Sequence, residues 1–137
     1  DKRLHAFDGI VLRMVRAKKN NDKNFKIYGS GKPIREWIYI DDAAKAVEIS
    51  LNIKQNILDP INITNNFSIS INKIAKLVKT ELGFSGKLIN DIKYIDGDLV
   101  KRLSKQSSRY KKYFSKLKYT SLKLSVLKTL EYYKKNI

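Results

Sequence analysis

Strand-like and helix-like hydrophobic patterns alternate along this chain, and that alternation constrains the fold more than any other feature. Ile10, Val11, Met14 and Val15 share a face at helical spacing behind a capping Asp8, so 8–19 reads as a helix. FKIYG at 25–29 alternates apolar and polar as a strand does, SGKP at 30–33 is a turn, and EWIYI at 36–40 reads as a second strand. A helix over 41–52 follows, capped by Asp41 or Asp42, with Ala43, Ala44, Val47 and Leu51 as its expected buried stripe. INIT at 61–64 reads as a short strand. Ser70 caps a helix whose Ile71, Ile74, Ala75, Val78 and Leu82 share a face, and Gly83 stops it. KLIN at 87–90 is a further strand, 91–103 is irregular, and a basic helix runs over about 105–116. Ser121 opens a last helix with Leu122, Val126, Leu127, Leu130 and Tyr133 inward. Strands alternating with helices define an α/β chain, and nothing in 1–137 marks an internal domain boundary.

Composition then narrows the function classes. The chain has no Cys, which removes disulfides, zinc–thiolate clusters and a thiol nucleophile. With a single His besides, no metal site is expected. No apolar run approaches the ~18 residues of a membrane span, and the first residues lack the apolar stretch of a signal peptide. A cytoplasmic protein fits these features. The chain opens on Asp1 rather than Met, as a fragment of a longer protein would.

There are 29 Lys and Arg against 13 Asp and Glu, a net charge of +16. Such a charge attracts phosphate-bearing partners. A small nucleic-acid-binding module is one alternative, and its best candidate surface is 101–119, where basic residues interleave with Tyr110, Tyr113, Phe114 and Tyr119. Against it, Arg stands at only six positions and Lys at 23, the mark of AT-rich coding rather than of base-reading guanidinium groups. A basic helix with its aromatic side chains turned to the core explains 101–119 equally simply.

Few residues can carry chemistry. His5 is the one side chain whose ordinary range suits proton transfer at neutral pH. Gly29-Ser30-Gly31 lacks the glycine pattern of a dinucleotide loop and leads into a strand, so it reads as a tight turn. Arg35, entering a strand, can grip a diphosphate bidentately or pair with Glu36 or Asp42.

Taken together, Tyr28-Gly-Ser-Gly-Lys-Pro-Ile-Arg35-Glu-Trp-Ile-Tyr-Ile-Asp41-Asp42 resembles the signature of extended short-chain dehydrogenase/reductases, the NAD-dependent epimerase/dehydratase family. INIT, the helix after Ser70, Asp96-Gly97, the basic pair Lys101-Arg102 and the closing helix follow in family order. With His5, Arg13, Tyr28, Arg35 and Glu36 in step, the chain is most similar to the GDP-L-fucose synthase branch. The resemblance implies the C-terminal, substrate-binding part of a Rossmann-type α/β enzyme whose N-terminal dinucleotide-binding half is missing. It also implies NADP or NAD as cofactor, a nucleotide-diphosphate sugar as substrate and a homodimer in the full-length form. The full-length reaction would be 3,5-epimerisation and reduction of a GDP-bound 4-keto-6-deoxy sugar. A 4-epimerase or dehydratase of another nucleotide sugar is the nearest alternative. By resemblance His5 is catalytic and touches the cofactor, while Arg13, Tyr28, Arg35 and Lys101 or Arg102 bind substrate. Without its first half, the isolated chain is expected to be inactive and to self-associate through uncovered apolar faces.

Overall fold

The computed structural model describes residues 5–96 and 101–137. Ten elements follow in order: α1 (Ala6–Lys19), β1 (Asn24–Tyr28), β2 (Ile34–Glu36), α2 (Ile40–Leu51), β3 (Ser68–Ser70), α3 (Ile71–Leu82), β4 (Lys87–Asp91), β5 (Lys101–Arg102), α4 (Ser108–Phe114) and α5 (Leu122–Asn136). β1 and β4 pair in parallel, with Tyr28 opposite Asp91. β2 is the middle strand of a second sheet, antiparallel to β3 and parallel to β5.

The main core lies where α1, α3 and α5 meet the inner face of β1. Ile10, Val11 and Met14 pack with Ile74, Ala75 and Val78, and with Val126 and Leu130. Strict alternation on β1 sends Phe25 and Ile27 into this core and leaves Tyr28 outside. α3 forms as the sequence predicts. Ser70 accepts from the Lys73 amide at 3.3 Å, and Gly83 closes the helix at φ 67°, a left-handed conformation that favours glycine. A second cluster joins Ala46 of α2 to Tyr110 and Phe114 of α4 and to Leu117, with Ile61 and Ile63 packed against it.

Several sequence expectations need correction. α1 starts at Ala6 with His5 as its N-cap, so Asp8 lies in the first turn and does not cap. The second strand is Ile34–Glu36, not 36–40, because only that stretch has partners in β3 and β5; Trp37 instead offers its carbonyl to Asn65 at 3.0 Å. INIT is not a strand: it runs alongside α4, and the pairing role falls to Ser68–Ser70. α2 starts at Ile40 with Tyr39 as N-cap, so the cap expected from Asp41 or Asp42 does not form and both lie in the first turn. Asp42 is buried and accepts two hydrogen bonds from Thr120, N at 2.7 Å and Oγ1 at 2.8 Å, tying α2 to the approach of α5. The buried side of α2 is therefore Asp42 and Ala46. Val47 and Leu51, expected inside, are 60% and 81% exposed, and Ala44, expected inside as well, is exposed too. Leu127 of α5 is likewise exposed.

Candidate nucleotide-sugar site

The site grows out of the end of β1. Its outward-facing last residue is Tyr28, and α1 packs beside the strand and brings Arg13 across it. The guanidinium carbon lies 4.2 Å from the Tyr28 ring centroid and 4.9 Å from that of Phe25. Arg13 is locked there by donating from Nε to the Gly9 carbonyl at 3.1 Å and from a terminal nitrogen to the Lys26 carbonyl at 2.8 Å. Burial lowers its pKa from the ordinary value, partly offset by the neighbouring Tyr28 and Tyr94; an arginine so perturbed is still a cation at neutral pH.

Beyond Tyr28 the chain turns sharply. Gly29 and Gly31 take φ values of 79° and 68°, a region open to glycine. The turn is filled from outside. Asp96 accepts from the Ser30 amide at 2.9 Å and from the Ser30 hydroxyl. Asn72 takes the Gly31 carbonyl on its amide at 2.9 Å, and the side chain of Asn90 reaches both Asn72 and Gly29. A Cβ at Gly29 would fall 2.2 Å from Asp96 Oδ1, and one at Gly31 2.0 Å from Asn72 Oδ1. The turn leads into β2, as its sequence implies, and its Ser30 amide already holds a carboxylate. This turn is therefore not a pyrophosphate cradle for a dinucleotide, which needs backbone amides at a helix start.

Arg35 follows on β2, where it donates to the Ile34 carbonyl at 2.8 Å. In strand register it stands opposite Arg102, and Ile34 stands opposite Lys101. Three of the expected cationic positions thus gather on two neighbouring strands. Gly97 and Val100, part of the same sequence motif, lie outside the described residues.

His5 belongs to a different place. It is exposed at the start of α1 and lines a cavity of about 730 Å3 with Phe7, Glu36, Trp37, Tyr119 and Ser125. Glu36 Oε2 accepts from the Ser104 amide at 2.8 Å, while Glu36 Oε1 and Trp37 Nε1 are buried without a partner among the described residues. The structure thus joins Arg13 to Tyr28 and aligns Arg35 with Arg102, but sets His5 on the cavity rather than against either group.

Sequence reasoning did not assign Tyr94, Asn72 or Asn90. Tyr94 and Asn90 depend on the β1–β4 pairing and Asn72 on the docking of the α3 start against the glycine turn, and no local pattern marks them. Nor are the aromatic residues of 101–119 a stacking surface. Tyr110 and Phe114 are buried, and Tyr113 and Tyr119 pack against the same cluster.

Helices around a parallel strand pair, beside a small mixed sheet entered through a glycine turn and an arginine, define part of a Rossmann-type extended short-chain dehydrogenase/reductase. Residues 3–64 match the model of the NAD dependent epimerase/dehydratase family, and over most of its length the chain is similar to proteins named GDP-L-fucose synthase. It is 34% identical over 119 residues to GDP-L-fucose synthase of Dictyostelium discoideum, covering 86% of this chain and 33% of that one. GDP-L-fucose synthase 1 of Arabidopsis thaliana is 29% identical over 97% of this chain and 40% of its own. Among solved structures, a GDP-L-fucose synthetase from Naegleria fowleri bound to NADP superposes with a TM-score of 0.86 at 25% identity, over 96% of this chain and 40% of that one. The chain spans about two fifths of the length of the curated relatives it matches over most of its own length.

Proposed function

We propose that residues 1–137 are the nucleotide-sugar-binding segment of a longer NAD(P)-dependent epimerase/reductase acting on a GDP-bound 4-keto-6-deoxy sugar. The observation that carries this reading is the Arg13 guanidinium held on Tyr28 at the entrance to the glycine turn, which leads along the chain to Arg35 on β2 and its register partner Arg102. Cations beside an aromatic ring suit a ligand that joins a diphosphate to a planar base. Relatives named GDP-L-fucose synthase support the guanine nucleotide.

In this reading Arg13 and Arg35, with Lys101 or Arg102, neutralise the diphosphate, and Tyr28 orients the nucleotide. His5 moves a proton on the carbon next to the sugar ketone, a role in which a positioned acid or base contributes about 10²–10⁴-fold. NADP or NAD supplies the hydride chemistry and is held by residues beyond this chain, in keeping with the glycine turn being filled by Asp96. The longer enzyme is a cytoplasmic homodimer, and the segment alone is inactive.

Calorimetric titration with GDP tests the site. The Arg35→Ala variant is expected to bind about tenfold or more weakly, since a hydrogen bond to a charged group contributes about 1.5–3 kcal/mol. Unchanged GDP affinity in that variant removes the support.

A further inference from the structure

The column that begins in the core does not end at Tyr28. The Tyr94 ring stacks on Tyr28 with centroids 4.2 Å apart and planes inclined by 28°. Arg13 stands at the same distance from the same ring. Two groups that close to one phenol ring take its two faces. The order outward is then Phe25, Arg13, Tyr28, Tyr94. Phe25 is buried, whereas Tyr28 and Tyr94 are 49% and 51% exposed. The aromatic face left to a ligand is the outer face of Tyr94.

Tyr94 is also held in place. Its amide donates to the Asp91 carbonyl at 3.2 Å, the same oxygen that accepts from Gly29 at 3.0 Å. Asp91 stands opposite Tyr28 in strand register and lies 3.7 Å from Lys26 Nζ. Two residues further on, Asp96 grips Ser30. The segment carrying Tyr94 is thus pinned at both ends to the strand and turn that present Tyr28.

We infer that Tyr94 is a base-stacking residue: its outer face receives the planar nucleobase of the nucleoside diphosphate and extends the Arg13–Tyr28 platform outward. The inference rests on the nucleotide-sugar reading above and adds to it the residue that senses the base. A half-exposed ring, fixed in orientation before any ligand arrives, stacks without first losing rotamer freedom.

Titration of the protein and its Tyr94→Ala and Tyr94→Phe variants with GDP and with inorganic pyrophosphate tests this. Removing the ring is expected to weaken GDP binding about tenfold and leave pyrophosphate binding unchanged, while Tyr94→Phe keeps wild-type GDP affinity. Three results overturn the inference: GDP affinity unchanged in Tyr94→Ala, an equal loss for GDP and pyrophosphate, or a loss in Tyr94→Phe matching that in Tyr94→Ala. If Arg35→Ala weakens GDP while Tyr94→Ala does not, the stacking role alone falls. A wild-type protein that binds neither probe overturns the nucleotide-sugar reading and this inference together.

Discussion

Tyr119 shows how much one side chain can connect. Its hydroxyl donates to the Thr64 carbonyl at 2.9 Å and meets the Tyr110 hydroxyl at 2.7 Å. Burial raises its pKa well above the ordinary tyrosine value; Tyr110 and the charges of Asp42 and Glu36 push the same way. Tyr133 is also raised, first by burial and then by Asp8. In the unfolded chain both phenols ionise near ~10, and in the fold later, so above that pH the unfolded state binds fewer protons. This stability is complete below about pH 10 and is lost as pH rises from there through the folded values. The melting temperature should therefore drop above about pH 10. Tyr119→Phe should shrink that drop, with Tyr133 supplying the remainder, at a neutral-pH cost of about 1 kcal/mol for the stranded Tyr110 hydroxyl. Superimposable alkaline melting curves for the two proteins would count against this account. The sequence marked Arg13 and Tyr28 separately, yet not that one lies on the other. Tyr94 was illegible, because its meaning comes from stacking on Tyr28, a ring more than sixty residues away.

Elements were legible where local chemistry decides them. α3 has its cap, its apolar face and its glycine stop within one continuous stretch, and each appears as read. Replacing Ser70 with Ala removes the acceptor for the Lys73 amide. It should cost about 1 kcal/mol and lower the melting temperature by a few degrees; thermal denaturation followed by circular dichroism checks it, and an unchanged midpoint would remove Ser70 as a stabilising cap. α2 was misread for the opposite reason. Its pattern offers two apolar faces, and periodicity alone does not say which one a neighbour covers. Tyr110 and Phe114 cover the side of Ala46, and Val47 and Leu51 are left in solvent. β2 was displaced for a similar reason: Trp37, Ile38 and Tyr39 have strand-like side chains, but β3 and β5 pair only with Ile34–Glu36.

At the scale of the molecule, the uncovered apolar surface is the dominant fact. Ile40, Val47 and Leu51, at helical spacing on one face of α2, are all exposed, as is Leu58. An uncovered apolar helix face of this kind drives association. The chain should therefore form concentration-dependent oligomers in sedimentation velocity, and the paired change Val47→Lys with Leu51→Lys should shift it toward monomer. A wild-type chain that sediments as one monomeric species at every concentration would contradict this. Among the described residues no helix is long and apolar enough to cross a membrane, so the patch is not part of a spanning helix. The parallel pairing of β1 with β4 has a consequence in time as well as in space. Parallel strands cannot be joined by a tight turn, and Ser30 meets Asp96 across 66 positions of chain. Closing so large a loop costs entropy before any contact repays it, so such pairings form slowly. α1 and α3 can take shape early, but the column of Arg13, Tyr28 and Tyr94 exists only once the distant strand has docked.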